Sequence, residues 1–286
     1  ENEMKSTLLR LGLVALTIAT LAGCGGGGSD EVAVVTPPPV TPPPTVINVA
    51  SAVSSAAAVA ANDTASNSSA SFTVLQSAGL PAVTVNSPPK VNFTVFSDGA
   101  VKLGLTTTNV SFALAKLVPG TAGNPDQWVS YIYRTETATA GVGPNGTPKL
   151  ASAKQATTDT KAATQLVYNP DGYYTYTFST DIKDPAKTNG VVFEASRTHR
   201  VAIQLSYTNK AGETVLANPY FDFTVDANGN AVAVTDASKT RKMTDVNSCN
   251  TCHAKLALHG GGRVDTQYCV MCHNSGTTDA NSGNVL

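Results

Sequence analysis

The sequence predicts a mainly β protein: an immunoglobulin-like two-sheet sandwich, with a closed barrel as the alternative, followed by a short, loop-rich segment that holds four of the five cysteines. Three observations predict it. Between about 71 and 234, apolar and aromatic residues recur with a period of two, as half-buried strands require. The stretches between them carry turn residues. Cys249, Cys252, Cys269 and Cys272 crowd together near the C-terminus. Only 14% of the 286 residues are charged, so the folded part is expected to be smaller than the length suggests. Nineteen basic residues stand against 20 acidic ones, a net charge of −1, and no single-sign field invites nucleic acid.

Residues 1–23 read as a lipoprotein signal peptide. Met4 is the expected start, with Glu1 to Glu3 an upstream extension. Lys5 and Arg10 precede the uncharged run Leu11–Thr20, too short to span a bilayer as a mature helix. Leu21-Ala22-Gly23-Cys24 resembles the lipobox of bacterial lipoproteins, which implies that Cys24 is acylated and anchors the chain in outer-membrane lipid, since Gly25 and not aspartate follows it. An ordinary secretory peptide with an incidental thiol is the alternative. Residues 24–70 are then the lipidated cysteine and a disordered Gly/Pro/Ala/Ser-rich tether. Its Thr36–Pro44 stretch is expected as polyproline II, about 28 Å long at roughly 3.1 Å per residue. Ala50–Ala61 has helix propensity but a thin apolar face, and no function is assigned to it.

Residues 71–235 read as the β domain. Its strand candidates are Lys90–Phe96, Val110–Leu114, Trp128–Tyr133, Tyr173–Phe178, Arg200–Tyr207 and Tyr220–Val225, alternating or rich in β-branched and aromatic residues. Turn chemistry separates them at Ser97–Gly99, Asn169–Gly172, Asn209–Gly212 and Asp226–Gly229. Short strands with one apolar face each bury those faces against one another. No catalytic set is visible, and a scaffold or docking role is expected. His199, flanked by Arg197 and Arg200, is expected at a strand edge or the surface and not as a ligand. Trp128, Tyr173, Tyr174 and Tyr176 read as core and cross-strand pairs.

Residues 236–286 hold Cys249-Asn250-Thr251-Cys252-His253 and Cys269-Val270-Met271-Cys272-His273. Each places two thiols on one turn of chain with an imidazole directly after them, the pattern of c-type haem attachment: the thiols add to the two vinyl groups and the histidine becomes the fifth iron ligand. Two covalently attached haem c groups are expected, with His253 and His273 on iron. Zinc is the alternative, because Cys-x2-Cys-x16-Cys-x2-Cys also suits a structural zinc site, and the chain would then be a surface-anchored binding module. Four thiolates would leave both histidines redundant there, which favours haem. Disulfides two residues apart would be strained local bridges. Ala254–His259 before Gly260–Gly262 reads as a short helix closed by glycines. At about 100° per residue His259 points away from His253, so it is expected to reach the neighbouring haem as sixth ligand, with a solvent-facing histidine as the alternative.

Ser248–Arg263 and Tyr268–Asn274, taken with the lipobox, tether and β domain, resemble the outer-surface decahaem c-type cytochromes of the OmcA/MtrC type found in metal-reducing bacteria. The resemblance implies a split-barrel or sandwich β domain ahead of a pentahaem domain. It implies bis-histidine haems, with His253 and His273 proximal and His259 distal. It also implies electron flow outward, from periplasmic or porin-associated cytochromes to extracellular acceptors such as metal oxides, flavins and electrodes. Two motifs stand where that family has ten, and Leu286 lies 13 residues beyond His273, so a truncated piece is expected. The second distal ligand is then His199 or sequence beyond Leu286, and the latter is the expectation. The chain is expected to be a redox carrier at the outer cell surface, not a hydrolase or transferase.

Overall fold

The computed structural model describes residues 48–62 and 68–286. The signal peptide, Cys24 and the polyproline stretch lie outside these residues. In chain order the strands are β1 (Ser68–Ser71), β2 (Val83–Thr84), β3 (Lys90–Ser97), β4 (Ala100–Val101), β5 (Val110–Val118), β6 (Gln127–Ser130) and β7 (Tyr133–Thr137). They continue with β8 (Ser152–Ala156), β9 (Leu166–Asn169), β10 (Tyr173–Thr177), β11 (His199–Thr208), β12 (Thr214–Ala217), β13 (Tyr220–Val225) and β14 (Ala231–Ala233). Four α-helices are α1 (Val49–Asn62), α2 (Thr73–Ser77), α3 (Val246–Asn250) and α4 (Thr266–Cys269) among the described residues.

The alternating segments become β3, β5, β10, β11 and β13. The segment Trp128–Tyr133 is not one strand: Ser130 Oγ takes the Ile132 N–H at 3.1 Å, and the chain breaks there into β6 and β7. One six-stranded antiparallel sheet runs β1-β3-β10-β9, with β2 and β4 also on β3. The other runs β14-β13-β11-β5-β6, with β12 on β11. A separate hairpin pairs β7 with β8. An isolated bridge between Thr84 and Asn230 ties the two sheets at one point without closing a barrel, so the architecture is the sandwich.

The core lies between the sheets. Phe93, Val95, Tyr174 and Tyr176 from one meet Phe112, Leu114, Val201, Ile203 and Phe223 from the other. Phe112 stacks on Tyr176 with ring centroids 3.9 Å apart. Burying each such side chain contributes about 1.5–3 kcal/mol.

Two expectations are corrected. The tether was expected to remain disordered to residue 70, but α1 forms and packs: Val53 and Ala60 are buried with Leu75 and Phe96, against the sheet. Its apolar face is thin, yet it meets a close surface. A Cβ at Gly172 (φ 93°) would sit 2.8 Å from Val53 Cγ1, so glycine both permits the turn and lets the helix approach. His199, expected at the surface or a strand edge, opens β11 between β5 and β13 and has no solvent exposure. Its Nε2 lies 3.0 Å from Tyr131 Oη, and Tyr131, Phe193 and Phe223 surround the ring.

The second sheet is buried on both faces. Ala113, Ala115, Leu117 and Ala202 point away from the sandwich core and pack with Trp128 against Tyr268 and Met271 of the C-terminal segment. Arg200 joins the two. Its Nε and Nη2 donate to the two carboxylate oxygens of Asp222, each at 2.7 Å, directly across the β11–β13 ladder. Its Nη1 donates to the backbone and side-chain oxygens of Gln267 in α4, both at 3.1 Å. The rings of Trp128 and Tyr220 lie 4.3 and 4.5 Å from the guanidinium carbon.

Asp222→Ala strands a fully buried guanidinium and is expected to destabilise the fold by about 3–5 kcal/mol in chemical denaturation. The double change Arg200→Met with Asp222→Leu is expected to cost clearly less, because no unpaired charge remains. Burial holds His199 down at about 4, against an ordinary value of 6.5. Above pH 6.5 both states are neutral and the histidine adds nothing. As pH falls from 6.5 to 4 only the unfolded chain takes up the proton, so about 3 kcal/mol of stability is expected to drain away. His199→Gln is expected to show a shallower loss over that window in pH-dependent denaturation.

Candidate functional site

Both cysteine motifs begin in the same way. Asp245 caps α3 by accepting the Asn247 N–H at 2.9 Å, and Asp265 caps α4 by accepting the Gln267 N–H at 2.7 Å. In each case the first cysteine falls four residues after the capping aspartate, and one further turn carries the chain through the second. His253 N–H donates to Cys249 O at 3.1 Å, and His273 N–H to Cys269 O at 3.0 Å. Each pair of thiols therefore sits three residues apart on one turn, with the imidazole next after it. The repeated Asp-x-x-x-Cys pattern was visible in the sequence as an N-cap signal, and only the two helices reveal its use.

The surroundings of the two motifs differ. Cys249 is half-buried while Cys252 and His253 are exposed. Cys272 is buried at the sheet interface and Cys269 is half-buried, and burial pushes both thiols up. An open cleft of about 700 Å3 runs beside α3, with Leu216, Pro219, Tyr220, Val246 and Val264 among its walls.

The expected helix over 254–259 does not form. Asn250 Oδ1 takes the Leu256 N–H at 2.7 Å, and the run is too short to hold itself helical without packing. Instead Leu258 and Arg263 bridge and close a tight turn with His259 at its tip. His259 has φ 52°, followed by Gly260 at 75° and Gly261 at 88°. A left-handed conformation is costly for histidine, and such strain persists where the surrounding chain imposes it.

That turn carries His259 to the second motif. The rings of His259 and His273 lie 5.9 Å apart, centroid to centroid, inclined at 50°. Two imidazoles each bound through one nitrogen at about 2 Å to a shared metal would place their centroids roughly 6 Å apart. The pair thus has the separation that an iron between them needs. Tyr268 Oη and Trp128 Nε1, beside the second motif, are buried without a hydrogen-bond partner among the described residues. Such atoms suit the polar contacts of a prosthetic group. The donor set fits haem. Among the described residues no three His, Cys, Asp or Glu side chains converge as a metal cage, so the zinc alternative has no preassembled site. His199 is held in the sandwich core by Tyr131, away from this arrangement. Among the described residues no helix is long and apolar enough to cross a membrane.

Arg200, Asp222 and Gln267, which hold the second motif on the sheet, were missed in the sequence. Their one signal is that Arg200 and Asp222 are each the only Asp, Glu, Lys or Arg in their strand.

The sequence profile of the OmcA-like N-terminal domain matches residues 69–231, from β1 to the start of β14. The chain is 30% identical over 204 residues to the multihaem cytochrome MtrC of Shewanella baltica (strain OS185), covering 68% of this chain and 26% of that protein. It is similar to the crystal structure of the outer-membrane decahaem cytochrome OmcA, with TM-score 0.59 and 28% identity over 78% of this chain and 32% of the other. The crystal structure of MtrC from Shewanella baltica OS185 aligns with TM-score 0.48 and 26% identity, over 69% and 29% of the two chains. The chain thus spans about a quarter to a third of the length of these relatives. With more than half of its length matched by that profile, and with the fold shared, the protein belongs to the OmcA-like N-terminal domain family of the OmcA/MtrC type.

Proposed function

We propose that this chain is part of a multihaem c-type cytochrome that carries electrons at the outer cell surface. The observation that carries this reading is the pairing of His259 with His273 above the Cys269–Cys272 turn. Haem bound here supplies one-electron redox chemistry at iron. The protein's own part is attachment and orientation. Cys249, Cys252, Cys269 and Cys272 would hold the haems as thioethers, each S–H adding across a vinyl C=C with no net redox change. His253 and His273 would each supply an imidazole ligand to one iron. His259 would supply a further ligand to the iron at the second motif, and burial with the nearby charge of Arg263 pushes this imidazole's pKa down, which favours the neutral form a ligand needs. The cleft beside α3, walled by Leu216, Val246 and Val264 as well as Asn247 and Asp265, would give a haem on the first motif a partly apolar neighbour. For that haem no described histidine is placed as a sixth ligand, since His199 is committed to the core.

The finer claims rest on the family. OmcA is described as an outer-membrane decahaem cytochrome and MtrC as a multihaem cytochrome. By that kinship Cys24 anchors this chain in outer-membrane lipid, other redox proteins such as periplasmic or porin-associated cytochromes deliver electrons, and metal oxides receive them. The residue divisions proposed are 1–23 for the signal, an anchor and tether from Cys24 up to α1, a β domain to residue 235 on which α1 packs, and 236–286 for the haem segment.

Chain matured with a c-type haem assembly system is expected to carry two haems that survive denaturation and stain on a gel. Cys249→Ala with Cys252→Ala is expected to halve the stain, and so is Cys269→Ala with Cys272→Ala. A wild-type chain without covalent haem would overturn the reading. Reduced protein is expected to bind carbon monoxide at about one haem in two, rising to both in His259→Ala. A wild type that binds none would show that the first haem already has a sixth ligand.

A further inference from the structure

The attachment and axial groups leave two cations at the second motif unused. Arg134 on β7 and Arg263 at the close of the His259 turn line one small cavity, about 110 Å3, together with His259, Cys272 and His273. They arrive from opposite parts of the chain, one on the hairpin of the β domain and the other on the loop between the motifs. Arg263 is positioned: its Nε donates to Gln204 Oε1 at 3.4 Å and its guanidinium lies 5.6 Å from the centre of the Tyr268 ring. Gln204 reaches it because position 262 is glycine; a Cβ there would collide with the Gln204 amide. Both terminal nitrogens of Arg263 have no protein acceptor among the described residues. Arg134 is exposed, and only its Nε is engaged, with Glu136 at 3.0 Å. Guanidinium groups with free planar donors match carboxylates. Haem carries two of these, its propionates, on the edge of the ring.

Resting on the haem reading above, we propose that Arg134 and Arg263 bind the propionates of the haem on the second motif, fixing its polar edge beside the β7–β8 hairpin and raising its reduction potential. Reduction removes one positive charge at iron, so nearby cations favour the reduced form. A unit charge within about 10 Å, at an effective dielectric between that of a protein surface and water, shifts the reduced-to-oxidised ratio on the order of 5-fold.

The test is a spectroelectrochemical titration of the full chain with its covalent haems, using a haem-stained gel as the loading check. Cys249→Ala with Cys252→Ala identifies which redox component belongs to the second motif. Arg134→Gln and Arg263→Gln are each expected to keep the stain and the low-spin spectrum while moving that component to lower potential, by about 5-fold in the ratio at fixed applied potential. Arg134→Lys and Arg263→Lys are expected to retain most of the wild-type value, and Arg241→Gln, outside the cavity, all of it. Adding Glu136→Gln to Arg134→Gln is expected to leave a downward shift, which separates loss of the cation from exposure of its partner. Haem-loaded Gln variants with unchanged potentials, or a shift confined to the other component, would overturn the proposal. Absence of covalent haem in the wild type would instead overturn the haem reading and the proposal with it.

Discussion

Arg200 has no solvent exposure, and its guanidinium is tolerable there only because nearly every donor is used and both faces are covered. Asp222 neutralises it through two parallel hydrogen bonds, Trp128 and Tyr220 flank it, and Gln267 and the Thr240 carbonyl accept what remains. Arg200 stands on β11, and the side-chain partners come from three other elements: β13, β6 and α4. Satisfying one charge therefore fixes the position of the Cys269–Cys272 turn relative to the second sheet. The small side chains of Ala113, Ala115 and Ala202 matter for the same reason, since they leave room on that face for Tyr268 and Met271 to come down beside the guanidinium.

The chain beyond the second motif strengthens this clasp. Thr278 N–H donates to Lys154 O, Leu150 N–H to Ala280 O and Lys149 N–H to Asn281 O, so the tail pairs along the β7–β8 hairpin. Ser275 bonds to Gln127 at the end of β6. A two-stranded hairpin is marginal alone and its edges invite pairing. Here the tail covers one edge, and the hairpin forms a wall of the cavity that holds Cys272 and His273. The β domain thus supports one side of the second motif. The first motif, with Cys252 and His253 exposed, has much less protein around it.

The covalently tethered haem proposed above would explain how so small a segment serves. The stretch after β14 contributes few buried apolar residues, chiefly Tyr268, Met271, Cys272 and Ala280, too few to enclose a large planar group by packing alone. Thioether bonds remove the need for a cage, and what the protein must still supply is orientation of imidazoles. It supplies that with a capped helix before each motif and with a turn that holds His259 at positive φ. Exposure of His253, His259 and His273 suits the electron-transfer reading proposed above, because a cofactor near the surface is within reach of an outside partner.

Much was legible in the sequence because it is written locally. Period-two alternation marked β3, β5, β10, β11 and β13, and turn residues marked the hairpins, since side chains on a strand must alternate between core and outside. The cysteine motifs were legible because two thiols and an imidazole act within one turn of chain. Less local features were not. The helix expected at 254–259 became a turn once Asn250 took the Leu256 amide, and α1 gained order from Val53 meeting Gly172. His199 passed for a surface residue because its partner Tyr131 lies far off in the sequence, in the break between β6 and β7. Residue types and spacing alone determined a β sandwich followed by two Cys-x-x-Cys-His motifs. Only the tertiary structure decided that the second motif is seated on the sheet and faced by His259, because those contacts join Arg200 to Asp222 and Gln267, and His259 to His273, across turns and loops that no local period encodes.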